Sequence, residues 1–126
     1  MGGVMQKSER AIHKEVMLAL SQQGCLVWRS NTGQAWQGKT LHKTSTQVTL
    51  GDCRPVTFGL CKGGSDLIGV HSPSGRFLAC EVKNAKGKVS DDQKKFLVAV
   101  NRAGGIAFVA RSAQDAVEAL NLLLEL

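Results

Sequence analysis

Residues 65–83, "SDLIGVHSPSGRFLACEVK", hold two apolar runs on either side of a Ser-Pro-Ser-Gly turn, and each run carries an acid at one end. "SDLIGVH" (65–71) and "RFLACEVK" (76–83) read as two strands of a hairpin turned at 72–75. The hairpin brings the start of the first strand beside the end of the second, so Asp66 and Glu81 meet if the register puts both on one face. Two carboxylates brought together repel, and one takes up a proton unless a cation lies between them. Oxygen ligands of this kind suit Mg²⁺ or Mn²⁺, ions that keep several waters and accept phosphate oxygens. Lys83, two residues after Glu81 in a strand, points to the same face, where its ammonium offsets charge on a scissile phosphate or orients an attacking water. The competing reading is a structural ion pair between Lys83 and one acid. Two features weigh against it: Gly63-Gly64 just before Asp66 is backbone that a substrate can approach closely, and charged ends on the buried strand "LACEVK" need a reason.

Outward from this hairpin the chain is mostly regular. "SERAIHKEVMLALSQQG" (8–24) has Ser8 as N-cap, Ile12, Val16 and Leu20 on one stripe, and Gly24 as a stop, which predicts a helix of about four turns. "CLVWRS" (25–30) is a short strand. Downstream, "SDDQKKFLVAVNRAGG" (90–105) is a helix with Ser90 as N-cap, Asp91 and Asp92 in its first turn, and Phe96, Leu97 and Val100 inward. "GIAFVARS" (105–112) is a buried strand, and a closing helix starts from Ser112. Residues 31–62 differ, because Gly, Thr, Ser, Gln and Lys interrupt every apolar segment; they read as a long loop, with at most a hairpin turned at Gly51-Asp52. A loop of this length inside a compact domain is usually functional or mobile. The predicted order is α, β, loop, β, β, α, β, α.

Composition bounds the function. At 126 residues, 43% hydrophobic and 21% charged, the chain is expected to be a single domain over 1–126 with a core of its own. No apolar run approaches the roughly 18 residues that cross a bilayer, and "MGGVMQKSERAIHK" lacks the apolar core of an export signal, so a cytoplasmic protein is expected. Gln6 stands where an N-terminal lipidation motif wants Ser or Thr. Cys25, Cys53, Cys61 and Cys80 show no metal-binding spacing and read as buried reduced thiols. The net charge of +6 is uneven: residues 1–65 hold eight basic and three acidic side chains, residues 66–126 eight and seven. Positive potential therefore gathers on the surface formed by the first half, which suits a polyanion such as nucleic acid.

"GGSDLIGV" (63–70), "RFLACEVK" (76–83), "GKVSDDQKKFL" (87–97) and "AGGIAFVA" (103–110), in that order, resemble the VRR-NUC domain, the virus-type replication-repair branch of the PD-(D/E)XK nuclease superfamily. "SERAIHKEV" and "VWRSNTG" resemble that family's opening helix and strand. The resemblance implies a restriction-endonuclease-like α/β core, a mixed sheet flanked by helices, and Mg²⁺- or Mn²⁺-dependent phosphodiester cleavage. It implies that Asp66 and Glu81 bind the metal, that the Val82 carbonyl completes the site, and that Lys83 is the catalytic lysine. Gln93 matches the family's glutamine on the following helix, where it holds the lysine or the DNA backbone. The opening helix should add one more acid. Glu9, in the pattern E-x-x-I, is preferred; Glu15 is the alternative, and six positions apart they lie on different sides of the helix. His13, one turn after Glu9, falls on the Glu9 side.

Within that family, stand-alone members of phage or viral type resemble Holliday-junction resolvases, and this chain resembles that type. That implies branched DNA as substrate, a homodimer, and a bacterial or phage-infected host cell. Segment 29–62 is then a DNA-contacting or dimer-forming arm, with Arg29, Lys39, Lys43 and Lys62 as DNA-binding residues and Trp36 either stacking on an unpaired base or packing under the loop. Two rivals stand beside this reading: a catalytically silent DNA-binding module, and a nuclease of RNA or ordinary duplex ends.

Overall fold

Local chemistry starts each helix where the sequence places a hydroxyl. In the computed structural model, which describes residues 7–126, the Ser8 hydroxyl accepts from the Ala11 amide at 3.1 Å and opens α1 (Glu9–Gln22). Ser90 and Ser112 cap α2 (Asp91–Arg102) and α3 (Ala113–Leu124) in the same way. Each cap satisfies an amide that the first turn leaves without a partner. The lipidation reading of the first residues lies outside the described ones.

Between and around these helices run β1 (Cys25–Arg29), β2 (Gly33–Lys43), β3 (Val48–Phe58), β4 (Leu67–His71), β5 (Phe77–Val82) and β6 (Ile106–Ala110). Four of them form a sheet in the order β1-β4-β5-β6. β1, β4 and β5 pair antiparallel, and β5 pairs parallel with β6 through the crossover helix α2. The architecture is therefore α/β, with a mixed sheet flanked by helices. β5 and β6 are covered on both faces, which is why "LACEV" and "IAFVA" read as continuous apolar runs rather than alternating ones.

The main core fills the face under α1 and α3. Ile12, Val16 and Leu20 of α1 and Leu120 of α3 pack there against Leu67, Leu78, Cys80, Val82 and Ile106. Burying each such side chain contributes about 1.5–3 kcal/mol. On the opposite face the cluster is small: Leu97 of α2 lies on Ala79 and Ala107, with Phe96 and Val100 half-buried beside it. Alternation along β5 then puts Glu81 on the α2 face, in register with Ala79, while Cys80 and Val82 point into the main core. The sheet thus carries an acid into the seam between β5 and α2.

Of the two forms expected for residues 31–62, a loop or a hairpin, the structure has the hairpin, as a long arm. β2 and β3 pair antiparallel from Gly33 opposite Phe58 to Lys43 opposite Val48, and the turn lies at 44–47, closed by the Thr44 amide on the Gln47 carbonyl. The expected turn at Gly51-Asp52 is corrected. Gly51 sits within β3, paired with Lys39 beside an irregularity in the register, and Asp52 adopts a positive φ of 48°. Polar residues along the arm hid the strand pattern because neither face is buried, so no alternation is imposed. The two strands pack chiefly on each other rather than on the rest of the domain. The expectation of four buried thiols also needs correction: Cys25 and Cys80 are buried, Cys53 and Cys61 exposed.

Candidate active site

The register of the central hairpin decides which groups meet. Leu67 of β4 lies opposite Cys80 of β5, and one step further Asp66 comes opposite Glu81. Pairing continues past the formal end of β4, since the Ser30 amide donates to the Asp66 carbonyl at 2.7 Å. The Asp66 carboxylate accepts from the Val82 amide at 3.1 Å, which fixes its side chain across the strand end. Just upstream, Gly63 (φ 79°) presses on the backbone of Asp92 so closely that no Cβ fits. This close approach seats the loop before Asp66 on the start of α2.

Glu81 is only 1% exposed. Its Oε1 accepts from Gln93 Nε2 at 2.8 Å and lies 3.4 Å from Lys83 Nζ. Its Oε2 is buried and has no hydrogen-bond partner among the described residues. Gln93 does two jobs at once: its Oε1 accepts from the Ser90 amide at 2.9 Å while Ser90 Oγ accepts from the Gln93 amide, a reciprocal cap that starts α2. The free Nε2 of the same amide reaches the acid. Helix start and buried carboxylate are therefore one structure.

Burial pushes the Glu81 carboxyl up from its ordinary 4.5 to about 8, with the neighbouring Asp66 carboxylate adding to the rise and Lys83 opposing it. The ion pair with Lys83 alone does not settle the acid. A buried carboxylate with an orphan oxygen next to a second carboxylate is the arrangement that a proton or a cation completes. An all-oxygen donor set of this kind fits a hard divalent ion.

α1 brings two more groups to Asp66. His13 Nε2 lies 3.8 Å from Asp66 Oδ2 and 4.0 Å from Glu9 Oε1. Glu9, His13 and Asp66 form a group whose ligand atoms all fall within 4.8 Å of one another. Glu15 faces away, paired with Lys7 at 2.8 Å. The structure thus gathers Glu9, Asp66, Glu81, Lys83 and Gln93 along the end of the sheet, where the Val82 amide holds Asp66.

The basic residues expected to touch DNA spread further. Arg29 ends β1, and Lys39 and Lys43 lie on the exposed arm, as does Trp36, which is 64% exposed and does not pack under anything. Lys62 lies in the loop before Gly63 and pairs with Asp92 at 3.4 Å. One organising residue escaped the sequence reading. Arg111 Nη1 donates to the carbonyls of Asn84 and Gly87 at 2.6 and 2.7 Å, tying down the loop that follows Lys83. No local motif announces it, since donor and acceptors are more than twenty residues apart. His13 had a signal, its i, i+4 spacing from Glu9, but only the packing of α1 on the sheet aims it.

Among the described residues no helix is long and apolar enough to cross a membrane. No curated protein matches the chain. The family model of the VRR-NUC domain matches residues 7–114, a span that takes in α1, the arm, the central hairpin, α2 and β6. The acids, the lysine and the glutamine gathered at the end of β5 all lie inside that span, and the chain belongs to the VRR-NUC family of nuclease-type domains.

Proposed function

We propose that this single VRR-NUC domain is a metal-dependent, structure-specific DNA endonuclease that hydrolyses phosphodiester bonds in branched DNA such as Holliday junctions, using Mg²⁺ or Mn²⁺. The observation that carries the reading is Glu81: a fully buried acid with an unpaired oxygen, set beside Asp66 and Lys83 at the end of β5. Asp66, Glu81 and the Val82 carbonyl would hold the ion, with Glu9 from α1 as the further acid. A divalent ion there supplies charge neutralisation for the phosphate and lowers the pKa of water.

The chain's own groups do the rest. Gln93 holds Glu81 by its Oε1 and so fixes the acid's orientation. The Val82 amide holds Asp66 in the same sense. Lys83, whose ammonium is largely buried, offsets the negative charge that gathers on the phosphate as the bond breaks. On one side α2 covers Glu81 through Gln93.

Labelled four-way junction, flap and linear duplex, each with Mg²⁺, Mn²⁺ or EDTA, test the reading. Cleavage of the junction in the presence of metal and none in EDTA is expected. No cutting of any substrate at any protein excess would make the chain a silent binding module. Preferential cutting of RNA or of duplex ends would move the substrate class.

The arm supports the partner reading. It is exposed on both faces, carries Lys39, Lys43 and Arg54 against the single acid Asp52, and also presents Trp36, Leu41 and Val48 to solvent. A two-stranded hairpin is marginal in water on its own. In this reading the lysines track phosphates and the apolar residues seat a second copy, giving a two-fold dimer that matches a two-fold junction. The setting is DNA repair in the cytoplasm of a bacterial or phage-infected cell.

Neutralising Lys39 and Lys43 to Gln is expected to weaken junction binding and to reduce the slope of log affinity against log salt by about 0.9 for each phosphate no longer neutralised. Unchanged affinity and slope would place the arm away from DNA. Replacing Trp36 by Asp is expected to shift sedimentation from dimer to monomer. A wild-type chain that sediments as a monomer at every concentration removes the dimer.

A further inference from the structure

We propose that Arg111 is a positioning residue for Lys83. Through residues 84–87 it holds a wall of backbone against the lysine stem and so sets where the ammonium stands beside Glu81. The inference rests on the reading of Lys83 as the group that offsets charge on the phosphate, and it extends that machinery to the end of β6.

A lysine is a poor carrier of a fixed charge unless something confines it. Its flexible four-carbon stem holds about 2 kcal/mol of rotamer entropy. The ion pair with Glu81 does not supply the confinement. At 3.4 Å, Lys83 Nζ stands off the carboxylate by more than the roughly 2.7–2.9 Å of a charged hydrogen bond. Yet the lysine side chain is only 15% exposed. Gly87 supplies part of that cover. A Cβ on Gly87 would lie 3.2 Å from Lys83 Cδ and 3.3 Å from Lys83 Cβ, so the backbone there runs along the stem.

What holds Gly87 in that place is the second step. Residues 84–87 form a turn that closes on itself: Asn84 Oδ1 accepts from the Lys86 and Gly87 amides at 3.1 and 2.8 Å, and the Gly87 amide lies 3.2 Å from the Asn84 carbonyl. None of these bonds ties the turn to the rest of the domain. Arg111 does. Its Nη1 donates to the Asn84 carbonyl at 2.6 Å and to the Gly87 carbonyl at 2.7 Å, gripping both ends of the turn. Hydrogen bonds from an ionised donor are about twice as strong as neutral ones.

Arg111 is itself seated on the domain. Its amide donates to Asp115 Oδ2 at 3.0 Å, in the first turn of α3. The residue before it, Ala110, accepts from the Lys83 amide at 3.1 Å. The backbone of Lys83 and the wall along its stem are therefore both anchored on residues 110–111. That frame confines the stem without drawing on Glu81. An arginine that served the turn alone would change stability and leave Lys83 as it is, and the test reads that difference.

Wild type, Arg111→Gln, Arg111→Lys and Gly87→Ala are compared for junction cleavage in Mn²⁺ and for junction affinity in EDTA. Acetylation of Lys83 by acetic anhydride is followed by mass spectrometry, with Lys39 on the exposed arm as the internal standard. Arg111 is exposed, so water takes over its two carbonyls in the variants, and melting curves check each fold. Arg111→Gln is expected to lower kcat about ten- to a hundredfold with KM and EDTA affinity near those of the wild type, since a misplacement of about 1 Å costs that much. Lys83 acetylation is expected to rise severalfold. Arg111→Lys keeps a charged donor and is expected to recover part of both. In a Lys83→Met background, Arg111→Gln is expected to have no further effect on the residual cleavage, because the two residues act as one. Gly87→Ala leaves both carbonyls to Arg111 and crowds the stem, so it too is expected to lower kcat. It carries the test if Arg111→Gln fails to fold, and cutting by Gly87→Ala at the wild-type rate would then overturn the role.

Arg111→Gln that cuts as fast as the wild type, or that loses cleavage by the same factor with and without Lys83, overturns the positioning role and leaves the nuclease reading intact. Unchanged acetylation of Lys83 does the same. If the wild type cuts no substrate, the nuclease reading falls and acetylation alone decides. A rise in Arg111→Gln then keeps Arg111 as the residue that places Lys83, and no rise removes that role as well.

Discussion

Glu81→Gln and Asp66→Asn are each expected to lower junction cleavage on the order of a thousandfold or more while leaving junction binding as tight as in the wild type or tighter. Both substitutions keep the shape of the side chain. A glutamine at 81 still offers an oxygen to Gln93 Nε2, and an asparagine at 66 still accepts from the Val82 amide, so the strand end and the start of α2 keep their hydrogen bonds. What each removes is a negative charge and an anionic oxygen. Divalent ions are held largely by that charge, and the loss falls on cleavage. Binding moves the other way because a carboxylate beside a phosphate repels it, and the attraction from Lys39, Lys43 and Arg29 is untouched. Cleavage rates at saturating protein, together with affinities measured in EDTA, separate the two effects. If either variant cuts at a rate near that of the wild type, the acid is not part of the chemistry. If either melts well below the wild type in EDTA and binds poorly, its role is structural.

The residues that carry this prediction were legible in the sequence because they sit on short-range signals. A strand, a tight turn and a second strand leave little choice of partner, so "SDLIGVHSPSGRFLACEVK" determines that Asp66 comes near Glu81, and the period of two sends Lys83 to the side of Glu81. Ser90 and Gln93, three apart ahead of an apolar run, announce a capped helix. The sequence does not announce that the same glutamine reaches Glu81, because that depends on how α2 lies on β5, which two alanines permit. The choice between Glu9 and Glu15 has the same character. Both fit an amphipathic helix, and only the burial of Ile12, Val16 and Leu20 against the sheet turns one acid toward Asp66 and leaves the other to Lys7. The arm was the larger miss. Its strands bury neither face, so the pattern that reveals a strand was never imposed on them, and Gly51-Asp52 offered a better turn by composition than the 44–47 turn that forms.

The stability of the metal-free chain is expected to fall as pH rises from about 4.5 to about 8, and a divalent ion is expected to reverse the trend. Burial, with Asp66 adding to it, raises the Glu81 carboxyl to about 8 from an ordinary value of 4.5. Between those values the folded chain keeps a proton on Glu81 that the unfolded chain has already released. The folded state then binds more protons, so the linkage slope is negative: the contribution is fully present below pH 4.5 and is lost as pH climbs through 8. Each pH unit between the two values is worth about 1.4 kcal/mol, which makes the whole effect on the order of a few kcal/mol. A divalent ion takes the place of the proton and favours the charged acid, so its binding near pH 7 releases a proton and stabilises more strongly as pH rises. Glu81→Gln isolates the group, since a neutral glutamine keeps the hydrogen bond from Gln93 and has nothing to titrate. In EDTA the variant should melt above the wild type at pH 8, the gap should shrink toward pH 5, and Mn²⁺ should raise the wild type far more than the variant. Melting curves from pH 5 to 9, with EDTA or Mn²⁺, read all three. A wild type whose melting temperature tracks that of Glu81→Gln at every pH would mean that the acid is already neutralised inside the fold by Lys83, and the case for a cation between Asp66 and Glu81 would lose its physical basis.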